Sequence, residues 1–215
     1  MVKRALIEHR PWLFAGLAMS IVFWMVSGGP LGGMFQIALK GGSVAALAAY
    51  ALSRTSARDG RMIAGVMALG AAGDVGIELS TVAGGAFFLL AHLVAITLYL
   101  RNRRPDPAGS QRLAAAALAM GVPLGAWLLT HDSLTVIYAV ALGSMAASAW
   151  LSRFSRYRVG VGALLFVISD LLIFARLGGV LQQSLTSWFI WPLYYAAQLL
   201  ICTGVVQAVR RDHRA

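Results

Sequence analysis

Two aspartates, Asp74 and Asp170, stand inside long apolar stretches of the chain. Glu78 follows Asp74 by one helical turn, and Ser169 directly precedes Asp170. Lys40 is the one basic residue deep in an apolar run, and His92 the one histidine so placed. Other apolar runs carry Tyr138, Tyr194, Tyr195 and Gln198. An ionisable side chain at the centre of a bilayer costs at least ~2.5 kcal/mol, so each is a functional hypothesis by default. Burial disfavours the charged form of a carboxyl and a nearby cation favours it. Two carboxyls in different surroundings can therefore divide into a proton donor and a proton acceptor. That division suits acid–base hydrolysis with neither a metal nor a covalent nucleophile.

Each of these residues also has a structural reading. Lys40 can neutralise Asp74 or Asp170 as an ion pair. Glu78, near its helix end, suits an interfacial or accessory place. His92 can be a packed histidine bonded to a backbone carbonyl. Tyr194 and Tyr195 can be interfacial aromatics, although Trp188 and Trp191, nearer the start of their helix, suit that role better. The other carboxylates, Glu8, Asp59, Asp106, Asp132 and Asp212, fall in loops or tails and are expected to be solvated.

Competing chemistries find less support. Cys202 is the lone cysteine, which excludes an intrachain disulfide and a cysteine-based metal cluster. Catalytic zinc takes three protein ligands from His, Cys or carboxylates, and a single span holds a histidine. The sequence contains no HExxH and no GxSxG. Adjacent residues on a helix diverge by ~100°, so Ser169 and Asp170 do not form a nucleophile–base pair, and Ser169 is placed with the binding residues. Neither a metal nor a cofactor is expected.

The elements that must position these residues follow from composition. Of 215 residues, 59% are hydrophobic and 12% charged, against about 25% charged in soluble domains. A helix needs ~20 residues to cross ~30 Å of hydrocarbon, and lipid cannot satisfy an open strand edge. The expected fold is thus an all-α integral membrane protein. It is one domain over 1–215, an eight-transmembrane-helix bundle with spans at about 11–27, 34–53, 61–79, 81–100, 112–129, 133–152, 157–175 and 186–209. The first run follows Lys3, Arg4 and Arg10 as a signal peptide would. The chain stays hydrophobic afterwards, so a span is expected there instead. Gly41, Gly42, Ala45 and Ala49 in the second span, with Gly121 and Gly125 in the fifth, are expected to let helices approach closely.

Charge sets the orientation. With eight crossings, every Lys and Arg except Lys40 and Arg176 falls on one side. They cluster before span 1 (Lys3, Arg4, Arg10), in alternate loops (Arg54 to Arg61, Arg101 to Arg112, Arg153 to Arg158) and after span 8 (Arg210, Arg211, Arg214). The positive-inside rule then places both termini in the cytoplasm (N-in/C-in) of a bacterial-type inner membrane. The net charge of +10 is accounted for by topology and attraction to anionic lipid, with no nucleic-acid partner. Asp74 and Asp170 each lie thirteen residues along outward-running spans, ~20 Å from the inner boundary. Lys40 lies ~9 Å below the outer boundary by the same rise. The acids, the base and Tyr138 therefore share one level in the outer half of the bilayer. His92, Tyr194, Tyr195 and Gln198 come somewhat deeper.

A set of stretches together resembles the YhhN-like lysoplasmalogenase family. They are Ala38-Leu39-Lys40; Gly73-Asp74; Gly85-Ala86-Phe87-Phe88-Leu89-Leu90-Ala91-His92; Tyr138; Gly162 through Ser169-Asp170; and Pro192-Leu193-Tyr194-Tyr195-Ala196-Ala197-Gln198. The resemblance runs from about residue 36 to 205, and Glu78 lies outside its pattern. It implies hydrolysis of the vinyl ether bond of lysoplasmalogens to a fatty aldehyde and glycerophosphoethanolamine or glycerophosphocholine. Asp74 and Asp170 would then act as the catalytic acids. Lys40 would tune them or bind the headgroup phosphate, while His92, Tyr138, Tyr194, Tyr195 and Gln198 would position water and the glycerol. Phe87, Phe88 and Phe166 would line a lateral entry for the chain of a lysophospholipid partner. The rival reading is a transporter or proton-coupled carrier of a small amphiphilic solute. In it, Asp74 and Asp170 would mark two halves of a repeat, with Pro123 and Pro192 as the main helix breaks.

Overall fold

The computed structural model describes residues 10–27, 29 and 33–212. Lys3, Arg4, Glu8 and Arg214 lie outside the described residues. The described residues form eight α-helices: α1 (Pro11–Val26), α2 (Met34–Arg54), α3 (Arg58–Leu79), α4 (Thr81–Arg101), α5 (Gly109–Thr130), α6 (Ser133–Leu151), α7 (Val161–Leu177) and α8 (Gln183–Asp212). A π-helical turn, Arg156–Gly160, leads into α7. Each expected span falls on one helix. Among the described residues, seven helices are long and apolar enough to cross a membrane, with the π turn and α7 counted as one. The fold is that of a multi-pass membrane protein. α1 has 16 residues, within one of the expected span 11–27, but it reaches only ~24 Å, short of the ~30 Å of hydrocarbon.

Short connections make sequence neighbours spatial neighbours. α1 packs on α2, α2 on α3, α3 on α4, α5 on α6 and α7 on α8. The bundle closes through α4 with α6, and through α8 with α2 and α3. Close approach depends on particular glycines. A Cβ at Gly84 would lie 2.5 Å from the Ile77 amide nitrogen, so the α3–α4 hairpin shuts only on a bare backbone. Gly143 does the same for α6 against α5, where a Cβ would meet the Leu118 carbonyl oxygen at 2.7 Å. Gly41 and Gly42 make such contacts, with Val75 and Met19. Gly121 does not, because a Cβ there would meet nothing within 4 Å, and Gly125 allows ordinary contact only. Those two positions correct the close-packing expectation for the fifth span.

The two internal prolines do not break their helices. Pro192 has no N–H to give the carbonyl of Trp188, four residues earlier. The Trp24 indole of α1 supplies that hydrogen bond instead, at 3.2 Å. Trp191 is buried rather than interfacial, donating from its indole to Ser20 of α1, while Trp188 remains exposed. These contacts seat the short α1 against α8.

At the basic end of the bundle, Asp59 and Asp212 are not merely solvated. Asn102 donates to Asp59 at 2.7 Å and accepts from Arg153 Nε at 2.7 Å. Arg153 also pairs with Asp212 at 2.7 Å. This cluster ties α3, the α4 end, the α6 end and α8 together.

Candidate active site

The other end of the bundle holds the acids. On α3, Gly70, Gly73 and Asp74 lie on one face, as spacings of three and four require. A Cβ at Gly73 would come within 2.8 Å of the Phe88 ring, and one at Gly70 within 2.9 Å of Gln198 Nε2. The two glycines thus let α4 and α8 side chains close around Asp74, which is buried. Its Oδ2 accepts a 2.7 Å hydrogen bond from the Tyr194 hydroxyl of α8. Gln198, one turn further along α8, donates to that hydroxyl at 3.1 Å.

Asp170 on α7 has a parallel arrangement. It is buried, and its Oδ2 accepts from the Tyr138 hydroxyl of α6 at 2.7 Å. That hydroxyl lies 3.1 Å from His92 Nε2 of α4. Each aspartate is therefore held through one oxygen by a tyrosine, which is itself held by a buried polar side chain. Among the described residues no Lys or Arg pairs with either carboxyl.

Both aspartates open onto one cavity of about 530 Å³, whose walls come from α2, α3, α4, α6, α7 and α8. Lys40, Tyr138, Ser169 and Tyr194 also line it. Its floor is aromatic, since the Phe88 ring contacts those of Phe166 and Tyr194 edge-on. Its rim is apolar and exposed, at Val82, Leu134, Ile137 and Leu177.

Several expected contacts are corrected. Lys40 pairs with Glu78 at 2.7 Å rather than with an aspartate. Glu78 stands one turn beyond Asp74, at the exposed end of α3, and intercepts the ammonium there. Tyr195 turns away from the cavity. Its buried hydroxyl faces α1, where a Cβ on Gly16 would lie 2.8 Å from it. Neighbouring positions on α8 diverge by ~100°, so Tyr194 and Tyr195 cannot both face inward. Ser169 lines the cavity with its hydroxyl committed to the Ile190 carbonyl at 3.1 Å. His92 and Gln198 lie behind the cavity and reach the aspartates only through tyrosines. Phe88 and Phe166 line the cavity, but Phe87 is on the exposed side of α4.

Asp132 and Thr135 belong to the cavity lining, and reading the sequence placed neither there. Asp132 caps α6, accepting from the Thr135 hydroxyl at 2.7 Å and its amide at 2.8 Å. The hydroxyl bond, then the amide bond, hold its carboxyl below the usual range. The Asp-x-x-Thr spacing marks a helix start, which was the available signal. Among the described residues, no three His, Cys, Asp or Glu side chains gather as a metal-binding group.

Comparison with known proteins adds to this geometry. A family model described as the YhhN family matches residues 35–205. Two curated proteins named lysoplasmalogenase, from Mycobacterium bovis and Mycobacterium tuberculosis, are each 33% identical over 213 residues, covering 89% of this chain and 80% of the relative. No solved structure matches the chain.

Proposed function

Because this chain belongs to the YhhN family, we propose that it is a membrane-embedded lysoplasmalogenase in which Asp74 and Asp170 are the acid–base pair. The observation that carries this reading is that two buried carboxyls, neither paired with a cation, open onto one cavity. A volume of about 530 Å³ is within the ~300–1,000 Å³ of small-molecule sites. The apolar rim offers a lipid chain a way out into the bilayer.

The reaction can be written with every proton placed. One aspartic acid gives its proton to the outer vinyl carbon, leaving an oxocarbenium ion. Water adds to the carbon bonded to oxygen and loses a proton to the other aspartate, forming a hemiacetal. The hemiacetal hydroxyl then returns a proton to the first aspartate. The second gives its proton to the departing glycerol oxygen, releasing aldehyde and the glycerophospho-headgroup. Both carboxyls finish as they began, and no metal or cofactor takes part. Tyr138 and Tyr194 hold one oxygen of each carboxyl and leave the other for substrate and water. Lys40 presents its charge to the headgroup phosphate, with Glu78 keeping it at the rim. With α1 as an eighth crossing, which a locally thinned bilayer accommodates, the basic end and both termini are cytoplasmic in a bacterial-type inner membrane. The cavity then opens in the outer half.

Hydrolysis of a lysoplasmalogen by purified protein in D₂O tests the chemistry. One deuterium at the carbon next to the aldehyde is expected, because that carbon takes the acid's exchangeable proton. The matching saturated ether lysolipid should stay intact. Uptake into proteoliposomes without cleavage of either lipid would support a carrier instead. A reporter fused after Arg214 is expected in the cytoplasm, and an external signal would reject the orientation.

A further inference from the structure

Behind the aromatic floor is a second cavity of about 10 Å³, close to the space one water occupies. Every residue lining it is buried, and three are polar: His92 of α4, Tyr99 two turns further along α4, and Gln198 of α8. Phe88 and Phe166 line both cavities, so their rings form the wall between them. His92 and Gln198 are the ends of the two hydrogen-bonded arms that hold Asp170 and Asp74. The Tyr99 hydroxyl is fully buried and has no hydrogen-bond partner among the described residues.

The donors and acceptors can be followed atom by atom. Tyr138 spends its one proton on Asp170, so its oxygen must accept from His92 Nε2–H. A neutral imidazole protonated at Nε2 has an acceptor at Nδ1. Tyr194 likewise spends its proton on Asp74 and accepts from the Gln198 amide nitrogen, which leaves the amide oxygen as an acceptor. The arms therefore end in two acceptors, and Tyr99 contributes an unused donor. A water has two protons to give and lone pairs to receive one, and a buried water typically makes about three hydrogen bonds.

We propose that this small cavity binds one structural water, donating to His92 and Gln198 and accepting from Tyr99. The water closes a continuous hydrogen-bond chain from Asp170 through Tyr138, His92, Gln198 and Tyr194 to Asp74. It is a positioning device. It fixes the imidazole as the Nε2–H tautomer and fixes both tyrosines as donors to the carboxyls, so the two acids are oriented as a unit. Its effect on turnover rests on the lysoplasmalogenase reading, whereas the water site itself does not.

A high-resolution structure in lipid nanodiscs, combined with kinetics of Tyr99→Phe and Ala95→Val, tests this. Density in the cavity within hydrogen-bond reach of His92 and Gln198 is expected, and a cavity without it overturns the proposal whether or not the protein cleaves lysoplasmalogens. Ala95 lines the same cavity, so its valine variant fills the space; density lost there, with kcat down about tenfold and KM within about twofold, supports a water that acts through positioning. Tyr99→Phe keeps the ring and removes only a hydroxyl that no described residue bonds. A packing role predicts wild-type kcat for it, and that result overturns the proposal, while a fall of about three- to tenfold at unchanged KM supports it. Density in a wild-type protein that releases no aldehyde would sink the lysoplasmalogenase reading and leave the water site standing.

Discussion

The two ends of the bundle use the same side-chain types in opposite ways. At the basic end, Asp59 and Asp212 meet Asn102, Arg101 and Arg153, so each acid has a cationic partner. Arg153 and Asp212 are 41% and 47% exposed, where an ion pair contributes at most ~1 kcal/mol. At the other end, Asp74 and Asp170 are 3% and 5% exposed, with a tyrosine hydroxyl as partner and no cation. An exposed, paired acid ties helices together at little cost. A buried acid without a cation costs stability and is a functional hypothesis by default, and the cavity that the two aspartates share is where the proposed chemistry would have room. Lys40 and Glu78 stand between these cases: they pair at the rim while the lysine still faces the cavity.

Substitutions at the two ends should separate accordingly. The largest effect is expected at the aspartates: Asp74→Asn and Asp170→Asn should each lower aldehyde release by about 10²–10⁴-fold, the range for a positioned acid or base, with folding intact by circular dichroism. Next, Tyr138→Phe and Tyr194→Phe remove the hydroxyl that holds each carboxyl. A bond to a charged group is worth ~1.5–3 kcal/mol, so kcat should fall about tenfold to a hundredfold in steady-state assays. Lys40→Met should act on binding, raising KM about fivefold with kcat little changed if the ammonium meets the phosphate equally in ground and transition states. The smallest effect belongs to the basic end, where Asp212→Asn should leave activity at wild type and lower Tm by no more than ~2–4 °C. An Asp212 variant as inactive as Asp74→Asn would erase the distinction between the ends.

Much of this was legible in the sequence because hydrocarbon imposes a length and a composition on each span. Apolar runs with arginines at one end marked the eight described helices, and the equal depth of Asp74 and Asp170 along their runs pointed to a shared site. Depth, however, says nothing about direction around a helix axis. Tyr194 and Tyr195 were indistinguishable by level, yet one bonds Asp74 and the other faces α1. Lys40 was expected to pair with Asp74 or Asp170, and its pairing with Glu78 instead depends on how α2 rotates against α3. Trp191 was assigned to the interface by its place near the helix start, whereas a partner on α1 buries it. Asp132 was assigned to a loop as a solvated acid, whereas it caps α6 and borders the cavity.

In the proposed reaction the two carboxyls act as one unit. Residues that act together lose nearly all their effect when either is removed, so their losses do not multiply. Aldehyde release from a lysoplasmalogen by the folded Asp74→Asn/Asp170→Asn double variant should therefore match that of the weaker single variant within a few-fold. Losses that multiply would show two independent contributions, and a double variant that still turns over near the wild-type rate would place the chemistry elsewhere in the molecule.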